Sequence, residues 1–131
     1  MEKDRISAVI IQNKKLLLIT GYDELFYWTP GGKIDANESH KEALKRELNE
    51  ELSIKPTSID FYLSYGTINE ITKEKQKVYC YLARIIGQPK PKKEITKVLW
   101  YSKKNFEADT PKLSKSIKEY LIPKLIGDGL L

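Results

Sequence analysis

Residues 32 to 54 read GKIDANESHKEALKRELNEELSI, and this stretch decides the fold. Ser39, followed three residues later by Glu42, has the spacing of a capping box, which predicts that a helix begins there. The helix is predicted to run for about fourteen residues and to end near Leu52. Pro56 follows closely, and proline does not continue a helix. The centre of the chain is therefore one amphipathic helix with a short loop before it.

Three glutamates of this helix fall where an ordinary surface helix carries apolar residues. On a helical wheel, Glu47, Glu50 and Glu51 lie inside or beside the arc of the leucines. An unpaired carboxylate is costly to bury, and like charges three or four residues apart repel. A hard divalent cation would offset both costs, because oxygen-only ligands select ions such as Mg²⁺, which keeps positions for water and phosphates. The alternative is that these carboxylates pair with nearby lysines or with Arg46.

The same stretch strongly resembles the signature of the Nudix hydrolases: Gly, five residues, Glu, seven residues, then Arg-Glu-aliphatic-x-Glu-Glu-x-Gly-aliphatic. Eight defined positions match, namely Gly32, Glu38, Arg46, Glu47, Leu48, Glu50, Glu51 and Ile54. Ser53 departs from the pattern, at a position where glycine eases a left-handed turn. The lead-in at residues 30 to 32 and the segment ITKVLWYSKKNF at 95 to 106 also resemble the family, the latter its late tryptophan strand before a short helix.

The resemblance implies an α/β fold, a Nudix-type α/β/α sandwich around a mixed β-sheet, in a single domain over residues 1 to 131. It implies a group of catalytic residues, Arg46, Glu47, Glu50 and Glu51. Of these the three glutamates would bind the metal together with the backbone carbonyl of Gly32. Arg46 would orient the glutamates, and Glu38 would tie the loop to the helix. The implied cofactor is Mg²⁺, for which Mn²⁺ can substitute.

Three further positions are candidates outside these roles. Some family members use another acidic residue ahead of the late tryptophan, and Glu94, six residues before Trp100, is the candidate metal ligand. Lys33 would meet a substrate phosphate, and Trp28 would stack on a base. The alternatives are solvent exposure for Glu94 and Lys33 and core packing for Trp28.

The implied activity is Mg²⁺-dependent hydrolysis of a phosphoanhydride bond in a nucleoside diphosphate linked to another group. A water activated by the metal and by a glutamate base would attack phosphorus. The small size favours a nucleoside triphosphate pyrophosphohydrolase that clears damaged or oxidised nucleotides and yields a nucleoside monophosphate and pyrophosphate. Hydrolysis of ADP-ribose, dinucleoside polyphosphates or capped RNA is the alternative. A non-catalytic nucleotide-sensing or RNA-binding module is a further one, which the intact glutamates oppose.

Length, composition and net charge limit the class of protein and the partners that it can have. A chain of 131 residues, 40% hydrophobic and 31% charged, is typical of one soluble domain, and no apolar run is long enough to span a bilayer. Neither end resembles a targeting segment, so we expect a cytoplasmic monomer or homodimer with a small nucleotide substrate and no membrane partner. The net charge of +5 is interpreted as a solvated lysine surface rather than a nucleic-acid platform. Cys80, the single cysteine, is expected to be buried.

Alternating apolar and β-branched residues predict the remaining elements. The predicted strands are residues 5 to 12, 15 to 20, 26 to 29, 58 to 66, 76 to 86 and 95 to 101. Asn13-Lys14 is predicted to be a tight connection between the first two. A final helix is predicted from about 113 to 126, interrupted by Pro123.

Overall fold

The computed structural model describes residues 3 to 69 and 71 to 131. In chain order its elements are β1 (Lys3–Val9), β2 (Ile11–Gln12), β3 (Lys15–Gly21), β4 (Gly31–Lys33), α1 (His40–Leu52), β5 (Lys55–Ile68), β6 (Lys75–Ile86), β7 (Ile95–Tyr101), α2 (Lys103–Ala108), a π-helical turn (Ile117–Leu121) and α3 (Ile122–Gly127).

The described strands form two sheets rather than one. The larger is mixed, with the order β4-β1-β6-β5 and with β1 parallel to β6, and the smaller is antiparallel with the order β2-β3-β7. The predicted single strand from 5 to 12 is therefore wrong in one respect. It is interrupted at Ile10, a fully buried residue at which the chain leaves the larger sheet for the smaller one.

Helices cover both faces of the sheets, so the predicted α/β class and layered arrangement are confirmed. One core cluster joins α1 to β1, β3, β5 and β6 through residues such as Ile6, Leu17 and Leu48. The second core cluster joins the other face to the C-terminal helical segment, through residues such as Leu18 and Leu121. Each face buries its own row of side chains because successive strand residues point to opposite sides.

Local turn chemistry follows the sequence closely. Asn13 and Lys14 form the two-residue connection between β2 and β3, and both have positive φ, 52° and 57°. Positive φ at both positions is typical of the hairpin turn that matches the right-handed twist of strands. The capping box is present as predicted: Ser39 Oγ accepts from the N–H of Glu42, and Glu42 Oε1 accepts from the N–H of Ser39.

The C-terminal end of α1 is closed by the segment that precedes β7. The backbone N–H of Lys90 donates to the carbonyl of Leu52, and that of Lys92 donates to the carbonyl of Glu51, each at 2.9 Å. Carbonyls in the last turn of a helix have no partner within it, so these bonds satisfy groups that burial would otherwise make costly. They also hold Glu94, two residues after Lys92, near the glutamate end of α1, where its charge acts on Glu51.

Two predicted elements differ from the structure. Residues 26 to 29 form only isolated bridges, Trp28 with Ile19 and Tyr27 with Leu113, because the segment contacts a different partner at each residue. The last helical segment is not one continuous α-helix: a π-helical turn ends at Leu121 and α3 begins at Ile122. Pro123 therefore lies in the first turn of α3, where its missing N–H costs little.

The expectation for the single cysteine is confirmed. Cys80 is buried, and burial raises the pKa of its thiol to about 12. Within the described residues, no helix has both the length and the apolar character needed to cross a membrane.

Candidate active site

A cleft of about 660 Å³ opens where β1, β4 and α1 meet. Its walls come from opposite faces of the larger sheet. Glu47 and Glu51 enter from α1, whereas Tyr65 and Ile117 belong to the core on the other face. Trp28 lines the cleft and packs against both cores. The cleft therefore has an acidic wall and an uncharged, partly aromatic wall.

Glu51 is the most deeply placed carboxylate, with 5% of its surface exposed. Its Oε1 accepts a hydrogen bond from the backbone N–H of Gly31 at 2.9 Å. Burial raises the pKa of Glu51 to about 8, although the Gly31 bond opposes this, and the charges of Glu47 and Glu94 raise it further. A carboxylate in this position needs a cation nearby to remain charged at neutral pH.

Glu47 lies against the backbone of β4. A Cβ placed on Gly32 would come within 2.7 Å of the Glu47 carboxyl carbon, so only glycine leaves room for this approach. Glu47 Oε1 accepts from Arg46 Nη1 at 2.8 Å. Burial raises the pKa of Glu47, and the contacts with Arg46 oppose that rise.

Arg46 connects the loop before α1 to the helix itself. Its Nε and Nη2 donate to the two oxygens of Glu38 at 2.8 and 3.0 Å, and Nη2 also donates to the carbonyl of Lys33 at 3.0 Å. Glu38 Oε1 further accepts from the N–H of Asp35. The hydrogen bond from Arg46 lowers the pKa of Glu38, and this two-point contact fixes the loop against the helix.

Glu50 stands apart from the other two helix glutamates and does not line the cleft. Its Oε2 lies 3.5 Å from Arg46 Nη1 and 3.2 Å from Lys93 Nζ, and a third of its side chain is exposed. The remaining predicted positions are cleft-lining: Glu94, Lys33, Gly32 and Trp28. The structure thus brings together every predicted site residue except Glu50 and Arg46, which lie just behind the acidic wall.

The donor set fits a divalent cation by its chemistry. Glu47, Glu51 and Glu94 offer carboxylate oxygens beside the backbone of Gly32, and oxygen-only sets select hard ions. Within the described residues, however, no three acidic, cysteine or histidine side chains are arranged so that they could enclose an ion. Arg46 and Lys93 hold the Glu47 and Glu50 carboxylates instead, so these side chains would have to turn from the two cations.

Three contributors to the cleft are not among the predicted site residues. Arg5 lines it from β1, and Tyr65 lines it from β5. The N–H of Gly31 supplies the hydrogen bond to Glu51, and Gly31 has a φ of 144°, a region that favours glycine. Gly31 carries a signal in the sequence, because a pair of adjacent glycines is typical of a backbone turn. Arg5 carries none, since it follows two other charged residues, Lys3 and Asp4, at the start of β1.

Comparison with known proteins agrees with this architecture. The family model described as NUDIX domain matches residues 1–125. Among solved structures, a MutT NUDIX hydrolase from Burkholderia pseudomallei has a TM-score of 0.75 at 24% identity, covering 88% of this chain and 92% of that one. A MutT protein from Methanosarcina mazei Go1 has a TM-score of 0.82 at 20% identity, covering 98% and 95%. Comparison with curated proteins gave no match.

The chain belongs to the NUDIX family and is a Nudix hydrolase, a pyrophosphohydrolase acting on acid anhydrides. Members of this family generally depend on a divalent metal and act on nucleotide-type substrates. These two structures are each less than 25% identical to this chain, so they establish the fold and do not identify the substrate.

Proposed function

We propose that this protein is a Mg²⁺-dependent nucleoside triphosphate pyrophosphohydrolase that releases a nucleoside monophosphate and pyrophosphate. The observation that carries the proposal is the meeting of Glu47, Glu51 and Glu94 on one wall of a cleft whose other wall is uncharged. A triphosphate needs a cation-binding wall, and a base needs an apolar or aromatic one. The cleft offers both within one cavity.

The glutamates and the carbonyl of Gly32 would hold the cation. When bound, the cation supplies charge neutralisation for the phosphates and acidifies a water molecule. Arg46 contributes by fixing Glu47, because its guanidinium bonds Glu47 and Glu38 together. Glu50 would join the set only after leaving Lys93. The protein can also accept Mn²⁺ at such a site, since both ions prefer oxygen ligands.

Trp28 and Lys33 would bind the substrate. Trp28 is partly buried and lies edge-on to Phe26, with ring centroids 5.8 Å apart, so its position is held by packing while part of it lines the cleft. An aromatic ring fixed in this way is suited to contact a base. Lys33 has an exposed side chain at the cleft wall, where an ammonium group can approach a phosphate.

The proposal is tested by incubating the purified protein and Mg²⁺ with a panel of nucleotides and identifying the products by mass. The panel contains normal and oxidised deoxynucleoside triphosphates, ADP-ribose and diadenosine polyphosphates. We expect monophosphate and pyrophosphate from at least one triphosphate, and loss of that activity in Glu47→Gln but not in Glu107→Gln, an exposed glutamate on α2. Turnover of ADP-ribose or dinucleoside polyphosphates alone would contradict the substrate class. Tight binding with no turnover of any compound would favour a non-catalytic module.

A further inference from the structure

Two cationic residues face each other across the strands that border the cleft. Arg5 of β1 is directly opposite Lys33 of β4 in the antiparallel register, and both line the cleft. Directly opposed residues place their side chains on the same face, with Cβ atoms about 5 Å apart, and like charges there destabilise the pair. An anion in the cleft would remove that cost.

Strand alternation gives the direction of the Arg5 side chain. Ile6 and Ala8 are fully buried in the core beneath α1. Ser7 lies on the other face, where its hydroxyl is 2.6 Å from that of Thr29, and both line the cleft. Because successive strand residues alternate between faces, Arg5 shares the face of Ser7.

Arg5 is also within electrostatic reach of both walls of the cleft. Burial raises the pKa of Glu47, Glu51 and Tyr65, and the charge of Arg5 opposes the rise at each of them. Glu47 and Glu51 belong to the acidic wall, and Tyr65 belongs to the uncharged wall. A phosphate chain that joins a cation at the glutamates to a base at the aromatic wall would therefore pass Arg5.

A charge-balancing role for Arg5 toward the glutamates does not account for the whole arrangement. Once a divalent cation is held by the glutamates, it takes over their charge balance, and the opposed positive charges of Arg5 and Lys33 then face the cleft together. A guanidinium group presents a planar fork of N–H donors that matches phosphate oxygens, and its charge persists at all working pH values.

We propose that Arg5 is a substrate-binding residue that donates hydrogen bonds to the phosphate oxygens of the nucleotide, opposite Lys33. This rests on the proposed function for the identity of the anion as the polyphosphate of a nucleotide. Arg5 then contributes affinity for the phosphate chain and little to the chemical step.

The test uses the full-length protein, Mg²⁺ and inorganic tripolyphosphate, with binding measured by titration calorimetry. We expect Arg5→Gln to weaken tripolyphosphate binding by roughly 10- to 100-fold, the range for hydrogen bonds to charged groups. Arg5→Lys keeps the charge but loses the fork, so its binding should be weakened several-fold. The matched control is Arg84→Gln, which removes one positive charge from an exposed position on β6 and should bind within about twofold of wild type.

The same variants are then assayed with the best nucleotide of the panel, where Arg5→Gln should raise KM and leave kcat within a few-fold. Thermal melting identifies a variant that fails to fold. If Arg5→Gln does not fold, tripolyphosphate binding by the folded Arg5→Lys protein tests the role of Arg5. Tripolyphosphate binding by Arg5→Gln or Arg5→Lys equal to wild type, or no binding by wild type itself, would overturn the role of Arg5. A wild type that binds tripolyphosphate through Arg5 but hydrolyses no nucleotide would overturn only the proposed function.

Discussion

The backbone N–H of Gly31 donates a hydrogen bond to the buried carboxyl group of Glu51 at 2.9 Å, which joins the start of β4 to the last turn of α1. The two residues are twenty positions apart, and Gly31 reaches this geometry with a φ of 144°. A Cβ at Gly31 would lie 2.1 Å from the carbonyl oxygen of Ile6, so no other residue fits there. The acidic wall of the cleft is therefore fixed by backbone geometry as well as by helix position.

The titration of Glu51 makes the metal-free protein sensitive to alkaline pH. Burial raises the pKa of this carboxyl group from 4.5 to about 8, above its value in the unfolded chain. Its contribution to stability is therefore fully present below the unfolded pKa and is lost as pH rises through the folded pKa. We measure the melting temperature of Glu51→Gln minus that of wild type, in EDTA. We expect this difference to rise by about 5 °C or more from pH 5 to pH 9.

The matched control for this comparison is Glu107→Gln, a change at an exposed glutamate on α2. Its difference in melting temperature from wild type should be the same at both pH values. Adding Mg²⁺ at pH 9 should stabilise wild type and not Glu51→Gln, because a bound cation offsets the buried charge. A Glu51→Gln profile parallel to that of wild type from pH 5 to 9 would show that Glu51 ionises normally.

A methyl group at residue 32 should disable the site without unfolding the protein. The Cβ of Gly32→Ala would meet the end of the Glu47 side chain, 2.7 Å from its carboxyl carbon, and a flexible side chain can move away. We expect a loss of activity and of Mn²⁺ affinity of about tenfold or more, with a small change in melting temperature. Gly66→Ala on β5 is the control, since no atom lies within 4 Å of its Cβ. Full activity in Gly32→Ala would show that catalysis does not require Glu47 in this position.

Lysine should not replace Arg46, although the charge is the same. Arg46 contacts both oxygens of Glu38, one oxygen of Glu47 and the carbonyl of Lys33 at once, and an ammonium group cannot span that set. We expect Arg46→Lys to lower kcat/KM and metal affinity by about 10- to 100-fold, the usual effect of losing a group that orients a metal ligand. Steady-state kinetics and Mn²⁺ titration measure the two quantities. Lys45→Arg, a change at the exposed neighbouring position, is the control and should leave both unchanged.

Much of α1 could be predicted, because the residues that specify it lie close to one another in the sequence. The capping box at Ser39 and the spacing of the leucines depend on residues within a few turns, and the structure agrees with both. The inner placement of Glu51 also follows from a helical wheel, and its exposure is 5%. These features need no knowledge of the rest of the chain.

The features that were missed depend on contacts distant in sequence. The change of sheet at Ile10 requires two sets of strand partners, and the pairing of Arg5 with Lys33 requires the register of β1 against β4. Neither leaves a local pattern. Glu50 lies outside the cleft with its Oε2 3.2 Å from Lys93 Nζ, and Lys93 lies on a segment that meets α1 only through tertiary folding. Strand pairing and loop docking therefore limit what periodicity can predict about this site.

Ser53 offers a test of how the helix ends. It lies just after α1 with φ 55° and ψ 38°, in the left-handed region. A non-glycine residue in this region costs roughly 1 to 2 kcal/mol of strain. Glycine removes that strain but loses more backbone entropy on folding, so the net gain in stability is smaller than the strain. We expect Ser53→Gly to raise the free energy of unfolding by about 0.5 to 1 kcal/mol in urea titration. Activity should be retained, because the carbonyls of Glu51 and Leu52 still accept from the N–H groups of Lys92 and Lys90, respectively. Ser53→Ala keeps the strained geometry and should not be stabilised; an equal gain in both variants would mean that the serine hydroxyl, not the backbone, is the source of the cost.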